Sequence, residues 1–275
     1  MAESRKCQVL VIGAGPGGYV AGIRSAQLGL DTIIVEGDKA GGTCLIRGCI
    51  PSKAIIHAAE RFESLRQHSA DGGHMGLSVK GEAEVDMVGL VSWKDSIVDR
   101  LNKGVEGLLK AAGADLIKGW ASFDGPKSCT IDTGAGSVKI EAENVIIATG
   151  SSHIDLPFMP CDEEFVISST GALDLESLPK SVAIVGGGYI GLELGCALAK
   201  LGSKITVVEG MSSVLAIMDK EIRRPLEMWL KKHKVTVHTD SLARGVEIKG
   251  RGASKKAELT FEKDGTEHKV KVDKV

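Results

Sequence analysis

Two cysteines in the segment GGTCLIRGCIPSK, residues 41–53, have the type and spacing expected of a redox-active disulfide. Cys44 and Cys49 lie five residues apart, and Pro51 with the stretch after it predicts a helix that begins beside Cys49. A helix N-terminus and the nearby Lys53 would both stabilise a thiolate, the form of cysteine that attacks a disulfide. A zinc half-site and a pair of inert buried cysteines are the alternatives. The remaining cysteines stand singly, without the CxxC or HxxxH companions typical of zinc sites.

Two glycine-rich motifs of the form GxGxxG indicate two dinucleotide sites. The first consists of Gly13, Gly15 and Gly18, and the second of Gly186, Gly188 and Gly191. Glycine lets the chain turn sharply and lets backbone N–H groups approach a pyrophosphate, whose charge the following helix N-terminus favours. Glu36 and Glu209 follow at the distance expected of acids that accept hydrogen bonds from a ribose. Ordinary glycine turns are the alternative interpretation.

The histidines offer no recognisable catalytic arrangement. None of them has a sequence neighbour that would supply a base together with an orienting group. We therefore predict surface or packing roles for all of them and no metal site in the chain. They are His57, His68, His74, His153, His233, His238 and His268.

The elements that position these residues occur twice. Residues 8–36 and 182–209 both contain an apolar run, a glycine-rich turn, a helical stretch and a second apolar run that ends in Glu. This duplication predicts an α/β fold with two Rossmann-like dinucleotide-binding domains, at about 1–150 and 151–275, joined through the proline-containing SSHIDLPFMP. Within the first domain, between the second strand of the first motif and Val145, we expect helices around 51–68 and 93–111 and short strands near 115–148.

Composition limits the class of protein. The formal net charge is −2, with 34 Lys and Arg against 36 Asp and Glu, which argues against nucleic-acid binding. The chain enters an apolar strand directly after MAESRKC, so we expect neither a signal peptide nor a membrane span. Six cysteines in such a chain are more consistent with reduced, catalytic or metal-bound thiols than with structural disulfides, and they favour a cytoplasmic location.

Two dinucleotide sites in one chain suggest a donor and an acceptor of hydride, that is, a flavin and a nicotinamide nucleotide. The acidic Glu209 would repel a ribose 2′-phosphate, and no arginine occurs in the following EGMSSVL. The sequence therefore favours NAD over NADP.

The cysteine segment resembles the active-site segment of the pyridine nucleotide-disulfide oxidoreductases, and its PSK ending is more similar to the dihydrolipoamide dehydrogenase type than to the glutathione reductase type. The likeness continues through VIIATGS at 145–151 and VAIVGGGYIGLELG at 182–195. The chain differs from the commonest family form at Ile46 and Arg47, where Asn and Val are usual.

The resemblance implies specific roles for individual residues. Cys49 would be the thiol beside the flavin and Cys44 the thiol that exchanges with substrate. Lys53 would lie near the reactive edge of the flavin, paired with Glu193. The remaining residues that would line the FAD are Gly42, Thr43, Gly119, Thr149, Gly150 and Ser151.

The activity that the resemblance implies is oxidation of dihydrolipoamide through the disulfide and FAD, with reduction of NAD⁺. The implied partners are a lipoyl domain of a 2-oxo acid dehydrogenase complex and a second copy of the chain. Because the chain stops before the family's Gly-Asp segment and its His–Glu pair, we expect the C-terminal dimerisation domain to be absent and this chain alone not to turn over. Mercuric or glutathione reductase and a non-catalytic NAD-binding fragment are the alternatives.

Overall fold

The computed structural model describes residues 3–69 and 75–275. In chain order its helices are α1 (Pro16–Gln27), α2 (Gly42–Arg47), α3 (Cys49–Ser69), α4 (Met87–Ala112), α5 (Ser169–Leu173), α6 (Tyr189–Leu201) and α7 (Lys220–Lys232). Its strands are β1 (Glu3–Ile12), β2 (Thr32–Glu36), β3 (Asp115–Lys118), β4 (Trp120–Gly125), β5 (Ser128–Asp132), β6 (Ser137–Ile147), β7 (Ser181–Val185), β8 (Lys204–Val208), β9 (Thr236–His238), β10 (Ser241–Lys249), β11 (Lys256–Lys263) and β12 (Thr266–Val272).

These elements form two structural units. The first combines Met1–Pro51 with Asp95–Ser152, and the second combines Ser52–Lys94 with His153–Val275. Residues 52–94 therefore group with the second unit, although the sequence placed them in a domain at 1–150. The assignment of FAD and NAD to domains 1–150 and 151–275 stays a prediction.

The first unit is built on a six-stranded sheet in the order β3-β2-β1-β6-β5-β4. Strands β3, β2, β1 and β6 are parallel, whereas β5 and β4 pair antiparallel at the other edge. Strand β1 lies between β2 and β6, with Ile12 opposite Val35 on one side and Ile147 on the other. The carboxyl ends of three strands therefore meet beside the first glycine-rich turn, where α/β sheets commonly bind ligands.

Alternate residues of the central strands are buried on opposite faces of this sheet. Leu10 packs on one face in a cluster with Ile131, while Val11 and Ile34 pack on the other with Leu109 of α4. All five side chains are at most 1% exposed. Burial of each contributes roughly 1.5–3 kcal/mol, which explains the apolar runs at 9–12 in β1 and 33–35 in β2.

The second unit contains a parallel sheet, β7-β8-β9, and an antiparallel sheet, β10-β11-β12. Both faces of the parallel sheet are covered. Ile205 packs in a cluster with Leu198 of α6 and Ile55 of α3, whereas Val208 packs in a cluster with Phe261 of the antiparallel sheet.

The duplicated pattern is present as the sequence predicted. In each copy a further glycine allows the helix to cross the strands closely: a Cβ atom at Gly22 would lie 2.1 Å from Cδ1 of Ile34, and one at Gly195 would lie 2.4 Å from Cδ1 of Ile184. The two-domain α/β prediction is thus confirmed.

The predicted central helices are α3 and α4, and α4 begins earlier than expected. Its first turn is capped by Asp86, whose Oδ1 accepts a hydrogen bond from the N–H of Gly89 at 3.1 Å. The short helix α2 was not predicted. Among the described helices, none is long and apolar enough to cross a membrane.

Candidate functional site

The first glycine-rich turn joins β1 to α1 and leaves no room for side chains at two of its glycines. Gly13 has a φ of +96°, and a Cβ atom there would lie 2.3 Å from the carbonyl oxygen of Ala148. A Cβ atom at Gly18 would lie 1.7 Å from the carbonyl oxygen of Gly13. Gly15 is the N-cap of α1 and provides no side-chain hydrogen bond to the helix. The first N–H groups of α1 therefore have no side-chain cap and can serve an anion.

The second turn, between β7 and α6, repeats this geometry. Gly186 has a φ of +99°, and a Cβ atom at Gly191 would lie 2.8 Å from Cγ2 of Ile184. Gly188 is the N-cap of α6, again without a side-chain hydrogen bond. Apart from Gly188 itself, its chain neighbours and the backbone of its helix, no heavy atom of the described residues lies within 4 Å of the position that a Cβ of Gly188 would occupy, so the N-terminus of α6 can be approached closely.

The two predicted acids make the same contacts in both copies. Oε2 of Glu36 accepts a hydrogen bond from the N–H of Ala14 at 2.7 Å, and its Oε1 accepts one from Asp38 at 2.9 Å. Oε2 of Glu209 accepts from the N–H of Gly187 at 2.5 Å, and its Oε1 accepts from Met211 at 2.7 Å. Each carboxylate thus holds the residue after the first motif glycine.

These contacts leave acceptor capacity for a ligand. A carboxylate offers about four lone-pair positions, and each acid uses one on either oxygen in these bonds. Glu36 and Glu209 can therefore accept further hydrogen bonds from ribose hydroxyl groups while they hold their turns.

The cysteine segment is attached to the first glycine-rich turn. The N–H of Gly41 donates to the carbonyl oxygen of Ala14 at 2.7 Å. Gly42 has a φ of +63°, and a Cβ atom on it would lie 2.4 Å from Cα of Gly15. The segment can approach the turn this closely only because both facing residues are glycine.

Cys44 lies in α2, and Cys49 is the first residue of the 21-residue helix α3. Gly48 separates the two helices, and a Cβ atom there would lie 2.8 Å from the carbonyl oxygen of Thr43. The predicted helix start beside Cys49 is therefore confirmed: the break at Gly48 puts Cys49 at the N-terminus of α3, while Cys44 lies in the first turn of α2.

Polar contacts also hold the cysteine segment and the residue that precedes it. Nδ2 of the buried Asn102 donates to the carbonyl oxygen of Ala40, and Arg47 forms an ion pair with Asp38. Asp38 follows Glu36 by two residues, so Arg47, one of the two residues that depart from the commonest family form, links the cysteine segment to the end of β2.

The other thiols differ from this pair in environment. Burial raises the pKa of Cys7 and of Cys196 to about 11, and it also raises the pKa values of Cys129 and Cys161. Cys44 is half-buried and Cys49 is exposed. Thiols with raised pKa values are poor nucleophiles at neutral pH. Since Cys49 is also the exposed thiol among the described cysteines, chemistry at the Cys44/Cys49 segment is favoured.

Lys53 and Glu193 form the ion pair that the resemblance implied. Nζ of Lys53, on α3, lies 2.8 Å from Oε1 and 2.7 Å from Oε2 of Glu193, on α6. The side chains are 58% and 36% exposed, so the pair is accessible to a ligand and contributes little to stability. Their part in catalysis stays a prediction.

The remaining predicted FAD-lining residues lie near the carboxyl ends of β1, β2 and β6. Thr149, Gly150 and Ser151 are exposed and lie just after β6, separated from it by Ala148, while Thr43 is exposed on α2. Gly119 is buried, and its N–H donates to the carbonyl oxygen of Glu36 at 2.9 Å. A flavin-lining role for these residues stays a prediction.

One histidine has partners that the sequence did not indicate. Nε2 of His233 lies 2.9 Å from Oε1 of Glu63, and its Nδ1 lies 2.9 Å from the carbonyl oxygen of Trp229. The carboxylate is 170 residues away in sequence, so no local pattern could have identified it. The contact joins the end of α7 to α3, which fits a packing role. His74 lies outside the described residues.

Comparison with known proteins gives a consistent family. The sequence profile described as pyridine nucleotide-disulphide oxidoreductase matches residues 7–275. A dihydrolipoyl dehydrogenase from Pseudomonas aeruginosa is 46% identical over 239 residues, which is 86% of this chain and 51% of the relative. One from Geobacillus stearothermophilus is 41% identical over 98% of this chain and 55% of the relative.

Comparison with solved structures also finds disulfide reductases. A HOCl-induced flavoprotein disulfide reductase from Escherichia coli superposes with a TM-score of 0.80 at 26% identity, covering 98% of this chain and 55% of that protein. The chain thus spans about half the length of the relatives it matches. The cofactors of the family are FAD and NAD, as the resemblance implied. With nearly all its length matched by the profile and its glycine turns, acids and cysteine segment in place, the chain belongs to the pyridine nucleotide-disulphide oxidoreductase family.

Proposed function

We propose that this chain carries the disulfide, FAD and NAD sites of a dihydrolipoamide dehydrogenase. The observation that carries the proposal is the attachment of the cysteine segment to the first glycine-rich turn through Gly41 and Ala14, with Gly42 against Gly15. That contact puts the cysteine-bearing segment beside the turn that would bind a flavin pyrophosphate. The names of the most similar relatives support the choice of dihydrolipoamide as substrate.

The Cys44–Cys49 disulfide can accept two electrons from dihydrolipoamide by thiol–disulfide exchange. One thiolate of dihydrolipoamide attacks the sulfur of Cys44, the Cys44–Cys49 bond breaks, and Cys49 leaves as a thiolate. The second substrate thiolate then attacks the mixed disulfide, which forms oxidised lipoamide and releases Cys44. Two electrons have now moved from the substrate to the cysteine pair.

The residues present fit both dinucleotides. The uncapped N-terminus of α1 and the carboxylate of Glu36 would hold the pyrophosphate and ribose of FAD, while the N-terminus of α6 and Glu209 would hold those of NAD. When bound, these cofactors supply the two-electron acceptor for the thiols and the final hydride acceptor. Lys53, held by Glu193, would place a positive charge beside the reacting groups.

Selection of NAD over NADP rests on Glu209. Its carboxylate is fixed at the end of β8 by hydrogen bonds from Gly187 and Met211. A 2′-phosphate at the same position would meet this fixed negative charge and would be repelled. The partners that follow from the proposal are a lipoyl domain and a second copy of the chain, neither of which the described residues identify by themselves.

Two measurements on the 275-residue chain test the proposal. Chain reconstituted with FAD and freed of excess cofactor is expected to show bound flavin absorbance. Mass mapping after alkylation is expected to show a Cys44–Cys49 disulfide that dihydrolipoamide converts to two alkylated thiols. Cys196→Ser is the matched control, because it removes a thiol outside the segment and should alter neither result.

Two outcomes would contradict the proposal. A colourless chain after reconstitution with excess FAD would favour a nucleotide-binding module without flavin chemistry. Cysteines 44 and 49 that remain alkylatable under mild oxidation, or that are protected by bound zinc, would exclude the disulfide itself.

A further inference from the structure

A second group of side chains with metal-ligand chemistry lies in the second unit. The ligand atoms of His153, Asp155 and Cys161 all lie within 4.8 Å of one another. Nε2 of His153 lies 3.7 Å from Oδ1 of Asp155. The proposed function uses none of these residues.

The chain brings these residues together by a tight local turn. Leu156 and Met159 form an antiparallel bridge, and the N–H of Met159 donates to the carbonyl oxygen of Leu156 at 2.8 Å. The turn returns the chain so that the N–H of Cys161 donates to Oδ1 of Asp155 at 3.2 Å. Because Met159 is only 8% exposed and packs in the core of this unit, the turn is anchored rather than free.

Two acidic residues that follow Cys161 add negative charge next to the cluster, while their carboxylates bind backbone N–H groups of the loop. The carboxylate of Asp162 accepts hydrogen bonds from the N–H groups of Glu164, Phe165 and Val166 at 2.7–2.8 Å. The carboxylate of Glu163 accepts from the N–H of Ser168 at 3.3 Å. Both acids are engaged in fixing the loop, but their charges favour a cation beside it.

We propose that His153, Asp155 and Cys161 form a zinc-binding site. One imidazole nitrogen, one carboxylate oxygen and one thiolate sulfur match the donors of Zn²⁺, whereas Mg²⁺ and Ca²⁺ prefer oxygen alone. With metal–ligand distances of about 2.0–2.3 Å, tetrahedral geometry separates the ligand atoms by roughly 3.3–3.8 Å. The 3.7 Å between His153 and Asp155 falls in this range.

Exposure makes this an open site. The side chains of His153 and Asp155 are 49% and 58% exposed, so water can complete the coordination. Three protein ligands and a water constitute the arrangement of zinc sites that retain an exchangeable position. The site would therefore take up and release zinc without unfolding of the chain.

The test uses the tag-free 275-residue chain carrying Cys44→Ser and Cys49→Ser, because that cysteine pair could itself bind zinc. Zinc affinity is measured by competition with a chromophoric chelator, and the ligands are identified by the spectrum with Co²⁺. We expect one zinc per chain and a thiolate-to-cobalt charge-transfer band. Each of His153→Ala, Asp155→Asn and Cys161→Ser should weaken zinc binding by about tenfold or more, since loss of even an outer-shell partner commonly costs roughly 10–100-fold.

Cys196→Ser and His57→Ala in the same background are matched controls, because they remove a thiol and an imidazole elsewhere in the same unit. Both should leave the affinity unchanged. Substoichiometric zinc binding, an affinity unaffected by Cys161→Ser, or a cobalt spectrum without the sulfur band would each overturn the proposal. The cobalt spectrum requires no substitution within the cluster, so it remains decisive if a ligand variant unfolds.

Discussion

Replacement of Glu209 by Ala should weaken NADH binding selectively. The carboxylate uses one acceptor position on each oxygen for Gly187 and Met211, and the remaining positions are open to ribose hydroxyls. Loss of one hydrogen bond to a charged group costs about 1.5–3 kcal/mol, which corresponds to a rise of roughly 10- to 150-fold in the dissociation constant. Titration of the chain with NADH, followed by isothermal calorimetry or nucleotide fluorescence, measures this rise.

The same substitution has a structural effect that must be separated from the loss of binding. The N–H of the buried Gly187 loses its acceptor, which costs about 1–3 kcal/mol of stability. Glu36→Ala is the matched control, because it removes the equivalent acceptor from the buried Ala14. The two variants should lose similar stability in urea, yet only Glu209→Ala should weaken NADH binding, and only Glu36→Ala should weaken FAD binding.

Two results would refute this reasoning. Equal affinity of the unmodified chain for NADH and NADPH would show that Glu209 does not discriminate against the 2′-phosphate. Equal loss of NADH affinity in Glu36→Ala and Glu209→Ala would show that the effect comes from general loosening of the turns and not from contact with the ribose.

Three further perturbations have defined outcomes. Glu193→Gln, which removes the exposed ion pair with Lys53, should change the free energy of unfolding in urea by less than about 1 kcal/mol, so a large loss would show a structural role instead. Gly13→Ala and Gly186→Ala should each reduce the free energy of unfolding by roughly 1–3 kcal/mol, because both glycines have positive φ. The loss should be larger for Gly13→Ala, since only its Cβ would meet a backbone oxygen, that of Ala148 at 2.3 Å. Equal urea midpoints for the two variants would contradict this. Burial raises the pKa of the Cys7 thiol from 9.0 to about 11, so the folded chain binds the thiol proton more tightly than the unfolded chain does. The contribution of this thiol to the free energy of unfolding is therefore present below pH 9 and is lost as the pH rises from 9 to 11. Cys7→Ala should make the fall in unfolding free energy over this pH range smaller, as measured by urea unfolding.

The duplicated β-turn-α-β pattern was predictable because its signals are local. Glycine spacing, apolar runs and a terminal acid define each copy within about 30 residues, and the structure places both as expected. The early start of α4 also had a local signal, since Asp86 precedes Met87 in the position of an N-cap, but Gly89 and the β-branched Val88, which are weak helix formers, concealed it.

Other features depend on contacts that no sequence window contains. Arg47 was recognisable as a departure from the family, but its partner Asp38 depends on the path of the chain between them. The cluster of His153, Asp155 and Cys161 has irregular spacing that matches no metal motif, and only the turn through Leu156 and Met159 unites it. Grouping of residues 52–94 with the second unit likewise follows from the packing of Ile55 and Ala59 with α6 and β8, which composition does not reveal.

The paired contacts of Glu36 and Glu209 also determine when conformational entropy is lost. Ordering one backbone residue costs roughly 1–2 kcal/mol, and in both turns the chain's own carboxylate fixes the residues that face a pyrophosphate. Because this ordering is completed during folding, it does not reduce the free energy available for association with a dinucleotide. Amide hydrogen exchange at Ala14 and Gly187 should therefore already be slow in the chain alone and should slow little further when nucleotide is added.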